Sequence, residues 1–362
     1  MKVVMISRST HFTSPGGDTT QIEMTAKYLR ALGVDIDIRL STDAIAYQNY
    51  DLLHFFNIIR PDDILPHIKA TAVPFVISTI FVDYHEYEKK CRTGPMRLLN
   101  TVFDKDQIEY VKAVARAVKN GEKIKSLYFL MHGQKKSVQV VAAQAGLLLP
   151  NSHSEYNRLV TSYGIKKGYH KVVNAIDPAS FSNAVEPNLA FKDHVLCVGR
   201  IEGRKNQLNL IKALQNTALQ LTIIGKPGPN QAAYYAQCQA QARDAPNVRF
   251  IQHMDHASLA GVYQAAKVHV LPSWFETTGL SSLEAGAMGC NLVVTRKGDT
   301  EEYFGDMTHY CEPDDVESIR QAVTQAHAKP VNPRLRNHIF SHYTWQDTAT
   351  QTLAAYQQVL NH

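Results

Sequence analysis

Short apolar runs alternate along this chain with longer segments whose apolar positions recur every three or four residues. A strand buried on both faces reads as continuous apolar sequence, and the helix covering it shows a period of 3.6, so the alternation predicts parallel sheets wound with helices on both sides. In the first half, Lys2–Ile6, Val34–Arg39, Asp51–Phe56, Pro74–Thr79 and Gly146–Leu149 read as strands, and a strand near Lys171–Val173 closes the domain. The first helix is marked by Asp18 or Thr19 as N-cap, by Ile22, Ala26 and Leu29 at helical spacing, and by Gly33 as its stop. A weakly periodic stretch containing Pro178 and Pro187 reads as a linker. The second half repeats the pattern with strands His194–Gly199, Gln220–Ile224, Val248–Phe250, Val268–Leu271, Asn291–Thr295 and Thr308–Tyr310.

The expected organisation is therefore a Rossmann-like domain over residues 1–177, a linker over 178–192, a second Rossmann-like domain over 193–340 and a supernumerary helix over 341–362. A length of 362 residues exceeds what one core usually serves. Hydrophobic content of 44% with 20% charged residues excludes a disordered chain. The start, Met1-Lys2-Val3-Val4-Met5-Ile6, reads as a strand rather than a leader, and no run approaches the roughly 18 apolar residues of a membrane span. Cys91, Cys197, Cys238, Cys290 and Cys311 are odd in number and scattered, which argues against a disulfide framework and a zinc site and points to a reducing cytoplasm. No metal is expected.

Charge adds one feature. Lys112, Arg116, Lys119, Lys123, Lys125, Lys135 and Lys136 lie within 25 residues that hold Glu122 as their only acid. Interleaved Tyr110, Val111, Val114, Leu127, Tyr128, Phe129, Leu130 and Met131 make residues 110–137 either a helix resting on anionic lipid or a solvated face over a core.

Candidate chemistry concentrates in the second half. Val268–Leu271 runs through Pro272 into a loop, and a helix starts near Gly279, so the loop lies at the carboxyl end of a parallel strand, where ligands bind in open α/β sheets. Free amides at Gly279, Leu280 and Ser281 would face an anion, with glycine allowing close approach. Glu276 and Glu284 bracket that site, and carboxylates accepting from paired hydroxyls are a common way to hold a sugar or ribose. Arg200 and Lys205, after the first strand of the same domain, supply cations for a diphosphate leaving group. In the first domain, Gly16 and Gly17 form a turn between strand and helix; adjacent glycines are not the GxGxxG fingerprint, which excludes a nicotinamide or flavin site.

Glu276 and Glu284 at this spacing resemble the E-x7-E motif of retaining glycosyltransferases of family 4, although Thr277 stands where that family usually has glycine. Arg200, Lys205 and the Gly16–Gly17 turn match further family positions, as do Leu149–Glu155 and Val173–Asp177, with Ala175 for the usual glycine. The resemblance implies a GT-B fold, two facing Rossmann-like doubly wound parallel-sheet domains with an interdomain cleft, and a last helix from Tyr343 to Leu360 that crosses back to the first domain. It further implies Glu276 on the transferred sugar, Glu284 on the ribose, and Thr278, Gly279, Leu280, Gly16 and Gly17 near the diphosphate. Asp83 or His85 would stand for a histidine that family members place near the reacting carbon, and Ser152 lies in the strand-then-serine stretch.

The implied activity is retaining, metal-independent transfer of a sugar from a nucleoside-diphosphate sugar, without further cofactor, to an acceptor hydroxyl in surface polysaccharide or glycolipid assembly. The implied partners are that donor and a glycan or lipid-linked acceptor, with peripheral membrane contact and no nucleic acid. Two alternatives remain open at this point: a non-catalytic protein binding a glycan or partner on the same fold, and a nucleotide-sugar epimerase.

Overall fold

A computed structural model describes residues 1–91, 105–120, 124, 126–182 and 185–361. The strands are β1 (Lys2–Ser7), β2 (Asp35–Leu40), β3 (Leu52–Phe56), β4 (Phe75–Ser78), β5 (Leu147–Leu149), β6 (Val195–Val198), β7 (Leu221–Ile224), β8 (Val248–Ile251), β9 (Val268–Leu271), β10 (Asn291–Val294) and β11 (His309–Tyr310). The helices are α1 (Gly17–Ala31), α2 (Pro61–Ala70), α3 (His85–Cys91), α4 (Lys105–Asn120), α5 (Leu127–Gln144), α6 (His153–Tyr163), α7 (Gln207–Leu214), α8 (Ala232–Gln241), α9 (His256–Ala265), α10 (Leu280–Ala287), α11 (Thr300–Phe304), α12 (Val316–Ala328), α13 (Pro333–His342) and α14 (Trp345–Leu360).

The chain forms two compact units. The first comprises 1–81, 88–174 and 345–362, and its sheet has the order β2-β1-β3-β4-β5 with parallel pairing throughout. The second comprises 82–87 and 175–344, with the parallel order β11-β10-β9-β6-β7-β8. In both, the sheet steps to the opposite side of its first strand partway through the sequence. Strands β3, β4, β6, β7, β9 and β10 are buried at every residue, as helices on both faces require.

Two expectations change. The segment Lys171–Val173 is extended but is not a strand: His170 and Val172 donate to the carbonyls of Leu148 and Pro150, and a single bridge joins Tyr169 to Leu148. The first helix starts at Gly17, so the N-cap is Gly16 rather than Asp18 or Thr19. Thr19 Oγ1 instead accepts from Gly16 N at 3.1 Å, and Asp18 pairs with Arg8 at 2.6 Å. Within the stretch read as a linker, Asn188 N donates to Gly261 O at 2.9 Å.

Helix α14 is part of the first unit because its small and aromatic face is buried there. Ala349, Ala355 and Tyr356 join the cluster of Val3, Met5, Ile22, Ala26 and Leu29. The Tyr356 hydroxyl is 2.7 Å from His54 Nδ1, and His54 Nε2 is 2.9 Å from Ser78 Oγ. This chain of three side chains satisfies a histidine in the core, whose pKa burial lowers to about 3. Gln351 and Thr348 add bonds to the Val173 backbone at 2.9 and 2.8 Å. Replacing Tyr356 by phenylalanine leaves a buried imidazole nitrogen unpaired, and chemical denaturation is expected to show a loss of about 1–3 kcal/mol; an unchanged midpoint would mean that this bond does not hold α14 in place.

Candidate active site

Strands β6 and β9 are neighbours in the second sheet, so the loops leaving their carboxyl ends lie side by side. The loop after β6 carries Arg200 and ends in a helical turn over Gly203–Lys205. Asn206 then adopts φ +64°, a left-handed conformation that asparagine tolerates, and buries its amide against two carbonyls, Pro272 at 3.1 Å and Pro313 at 2.6 Å. Trp274 N donates to Arg204 O at 2.9 Å. The two loops are thus fastened at adjacent residues, and Lys205 between them meets Glu276 in an ion pair of 2.5 Å.

Glu276 is held by its backbone as well. Its N–H donates to Lys297 O at 3.0 Å and its carbonyl accepts from Asp299 N at 2.9 Å. Gly298 between them has φ +107°, and a Cβ there would fall 1.9 Å from Glu276 O, so only glycine fits the bridge. Thr278 is buried. Gly279, at φ +73°, begins α10, and no side chain caps that helix start. Ser282 N donates to Gly279 O at 2.8 Å, while the amides of Leu280 and Ser281 make no bond among the described residues and are available to an anion, which the helix dipole also favours.

One turn further, Glu284 accepts a long 3.4 Å bond from the Tyr263 hydroxyl. The side chain is half-buried as a whole, while its carboxyl is enclosed, and burial pushes the pKa up to about 8 against a smaller lowering by Tyr263. Nearby His269 on β9 is fully buried, lies 3.4 Å from Ser282 Oγ, and is pushed down to about 3, chiefly by burial and then by Lys205.

The structure thus brings together Lys205, Glu276, Thr278, Gly279, Leu280 and Glu284 at the ends of β6 and β9. Arg200 lies on the same loop, half-buried, its carbonyl accepting from Gln207 Nε2 at 2.9 Å. Gly16 and Gly17 belong to the first unit, at the start of α1. Ser152 is fully buried and caps α6, accepting from Glu155 N at 2.9 Å. The Glu155 carboxylate accepts from Phe81 N at 2.7 Å, from Asn151 N at 2.8 Å and from Thr79 Oγ1, which ties the ends of β4 and β5 together.

Of the turn after β4, Asp83 accepts from His85 N at 3.0 Å and His85 is exposed. The residue of that turn packed against the loops after β6 and β9 is Tyr84, which sequence reasoning missed. The guanidinium of Arg204 lies 4.8 Å from its ring centre and Phe275 meets it edge-on at 5.9 Å. Only an aromatic residue between two considered candidates hinted at it.

Burial favours the protonated form of Glu284, so the folded chain keeps that proton to higher pH than the unfolded chain, whose carboxyl titrates near 4.5. The resulting stability is complete below about 4.5 and is lost as pH rises to about 8. Glu284→Gln should remove this slope: unfolding free energies at pH 5 and pH 8 are expected to favour the variant more strongly at the higher pH, and parallel curves would contradict the burial.

Residues 185–340 match the family model described as glycosyl transferases group 1. The chain is 31% identical over 195 residues to a glycogen synthase of Mycobacterium tuberculosis, a match covering 51% of this chain and 47% of that protein. It thus spans about half the length of the curated relatives it matches first. Among solved structures, sucrose-phosphate synthase from Thermosynechococcus elongatus superposes with a TM-score of 0.76 at 15% identity, covering 100% of this chain and 99% of that one. Anabaena HepE, solved with UDP and glucose, gives 0.67 at 14% identity with 98% of both chains covered. Residues 185–340 therefore carry the sequence pattern of the glycosyl transferases group 1, on a chain whose two parallel-sheet units have the fold of GT-B glycosyltransferases.

Proposed function

We propose that this protein is a retaining, metal-independent glycosyltransferase of family 4 that moves a sugar from a nucleoside-diphosphate sugar to an acceptor hydroxyl in surface polysaccharide or glycolipid assembly. The observation that carries the reading is the Lys205–Glu276 pair beside the uncapped start of α10. It sets a cation, a hydroxyl-accepting carboxylate and free amides side by side, the three things a sugar diphosphate requires. Glu276 orients the sugar and Glu284 accepts from the ribose. Lys205, Arg200 and the backbone from Thr278 to Leu280 stabilise charge as the bond from the sugar carbon to the phosphate oxygen breaks. The acceptor oxygen forms the new bond on the same face, and its proton passes to the departing phosphate. The relative named glycogen synthase and the neighbour solved with UDP and glucose support a nucleotide-sugar donor.

Binding of UDP, GDP and ADP, measured by calorimetry, tests the donor site. One of them is expected to bind, and Glu284→Ala to weaken it about tenfold or more, as loss of charge-assisted bonds implies. With a donor in hand, Lys205→Ala should lower kcat about 100- to 1000-fold. If no nucleotide binds, the reading fails in favour of a glycan- or partner-binding role.

The proposal places the protein at the inner face of the membrane. None of the described helices is long and apolar enough to cross one. Leu127 and Met131, each 70% exposed, and Leu130 form an apolar surface beside exposed Lys135 and Lys136. Gly133, at φ 73°, breaks α5 after this turn. The side chains of Lys112, Arg116, Lys119, Lys123 and Lys125 lie outside the described residues. An apolar turn flanked by lysines suits anionic headgroups. Flotation is expected to recover the protein with phosphatidylglycerol-containing vesicles and not with phosphatidylcholine alone, and Leu127→Ser with Met131→Ser to abolish recovery.

A further inference from the structure

The segment Val82–Tyr87 follows β4 of the first unit yet is part of the second unit. Three side chains fasten it to the loops that build the candidate site. Tyr84 lies between Arg204 and Phe275 at the distances given above. Tyr87 packs against Trp274 at 6.2 Å, and its hydroxyl fills the space that a side chain at Gly203 would need. Glu86 pairs with Lys297 at 3.0 Å. These contacts reach all three loops: the one ending in Lys205, the one ending in Glu276, and the one whose Gly298 bridges Glu276.

Within this strap Tyr84 differs from its neighbours. Its ring is pinned on two sides, which fixes the phenol at little further entropic cost, while among the described residues its hydroxyl makes no hydrogen bond. Burial, and after it the opposed fields of Arg204 and Glu276, leaves the phenol's pKa above its ordinary value, so the group remains a proton donor at neutral pH. A fixed, unspent donor beside a carboxylate is how a site reads the position of one hydroxyl on a ring, since each sugar hydroxyl can accept from one group and donate to another.

We propose that Tyr84 is a specificity-determining residue for the sugar half of the donor, donating to a sugar hydroxyl that Glu276 accepts from. The inference rests on the function proposed above, and its test separates the two. Tyr84→Phe removes the hydroxyl and keeps both ring contacts, so an unchanged melting temperature is expected. Calorimetry with UDP, GDP and ADP, each against its glucose or mannose conjugate, then reads the nucleotide and sugar halves independently. The variant is expected to bind the bare nucleotide as wild type does and the matching conjugate about three- to tenfold more weakly, the worth of one neutral hydrogen bond. Equal affinity of wild type and variant for both ligands overturns the role of Tyr84 and leaves the proposed function standing. Equal weakening of nucleotide and conjugate assigns the hydroxyl to the nucleotide and overturns it as well. Failure of wild type to bind any of the ligands overturns both.

Discussion

A parallel sheet buried on both faces leaves charged groups only its ends, and in the second unit the Lys205–Glu276 ion pair meets that constraint. Strands β6 and β9 admit no charge along their length, so Lys205 and Glu276 stand in the loops that leave them, with side chains 22% and 9% exposed. Either group alone would carry an uncompensated desolvation cost, and removing one partner of such a pair is more damaging than never having had it. Paired, they hold adjacent loops in register. The glue around them is polar and local: Asn206 on two carbonyls, Trp274 on Arg204, and the Glu276 backbone on Lys297 and Asp299.

The two glutamates of the site solve different problems. Glu276 faces a cation and is fixed through both its side chain and its backbone. Glu284 faces a phenol at long range and a helix packed on the sheet, and its enclosed carboxyl keeps its proton well past the usual range. A carboxyl in that condition ionises when hydrogen-bond donors arrive, because each donor compensates part of the desolvation that burial imposes. On the proposed function the arriving donors are the ribose hydroxyls, so ligand binding and proton release would be coupled at Glu284.

Much of this was legible in the sequence because it followed from period and position. Apolar runs at Val195–Val198 and Val268–Leu271 fixed the strands, and their order in the chain placed the loops at one end. The start of α10 was readable from Gly279. What escaped reading depended on contacts between residues far apart in sequence. Nothing in Lys171–Val173 distinguishes a strand from an extended segment held by one bond to Leu148 of β5 and one to Pro150 just after it. Ser152 lies in the strand-then-serine stretch, and only the structure shows it capping α6, with Glu155 bonded to it and across to Phe81. The turn after β4 offered an acid and a histidine as obvious chemistry, yet the tyrosine between them is the residue clasped by Arg204 and Phe275.

The departure at Thr277 can be understood in the same physical terms. A glycine after the first glutamate of the motif would supply backbone freedom where the chain turns toward the helix. Here Thr277 has no positive φ, and the unusual conformations fall on either side of it, at Gly279 and across the loop at Gly298. Gly298 comes so close to Glu276 that a single added carbon would collide with its carbonyl. The tight geometry around Glu276 is therefore set by the neighbouring loop rather than by the residue that follows it. Thr277 lies outside the positive-φ region, so its β-branched side chain meets no left-handed backbone penalty there.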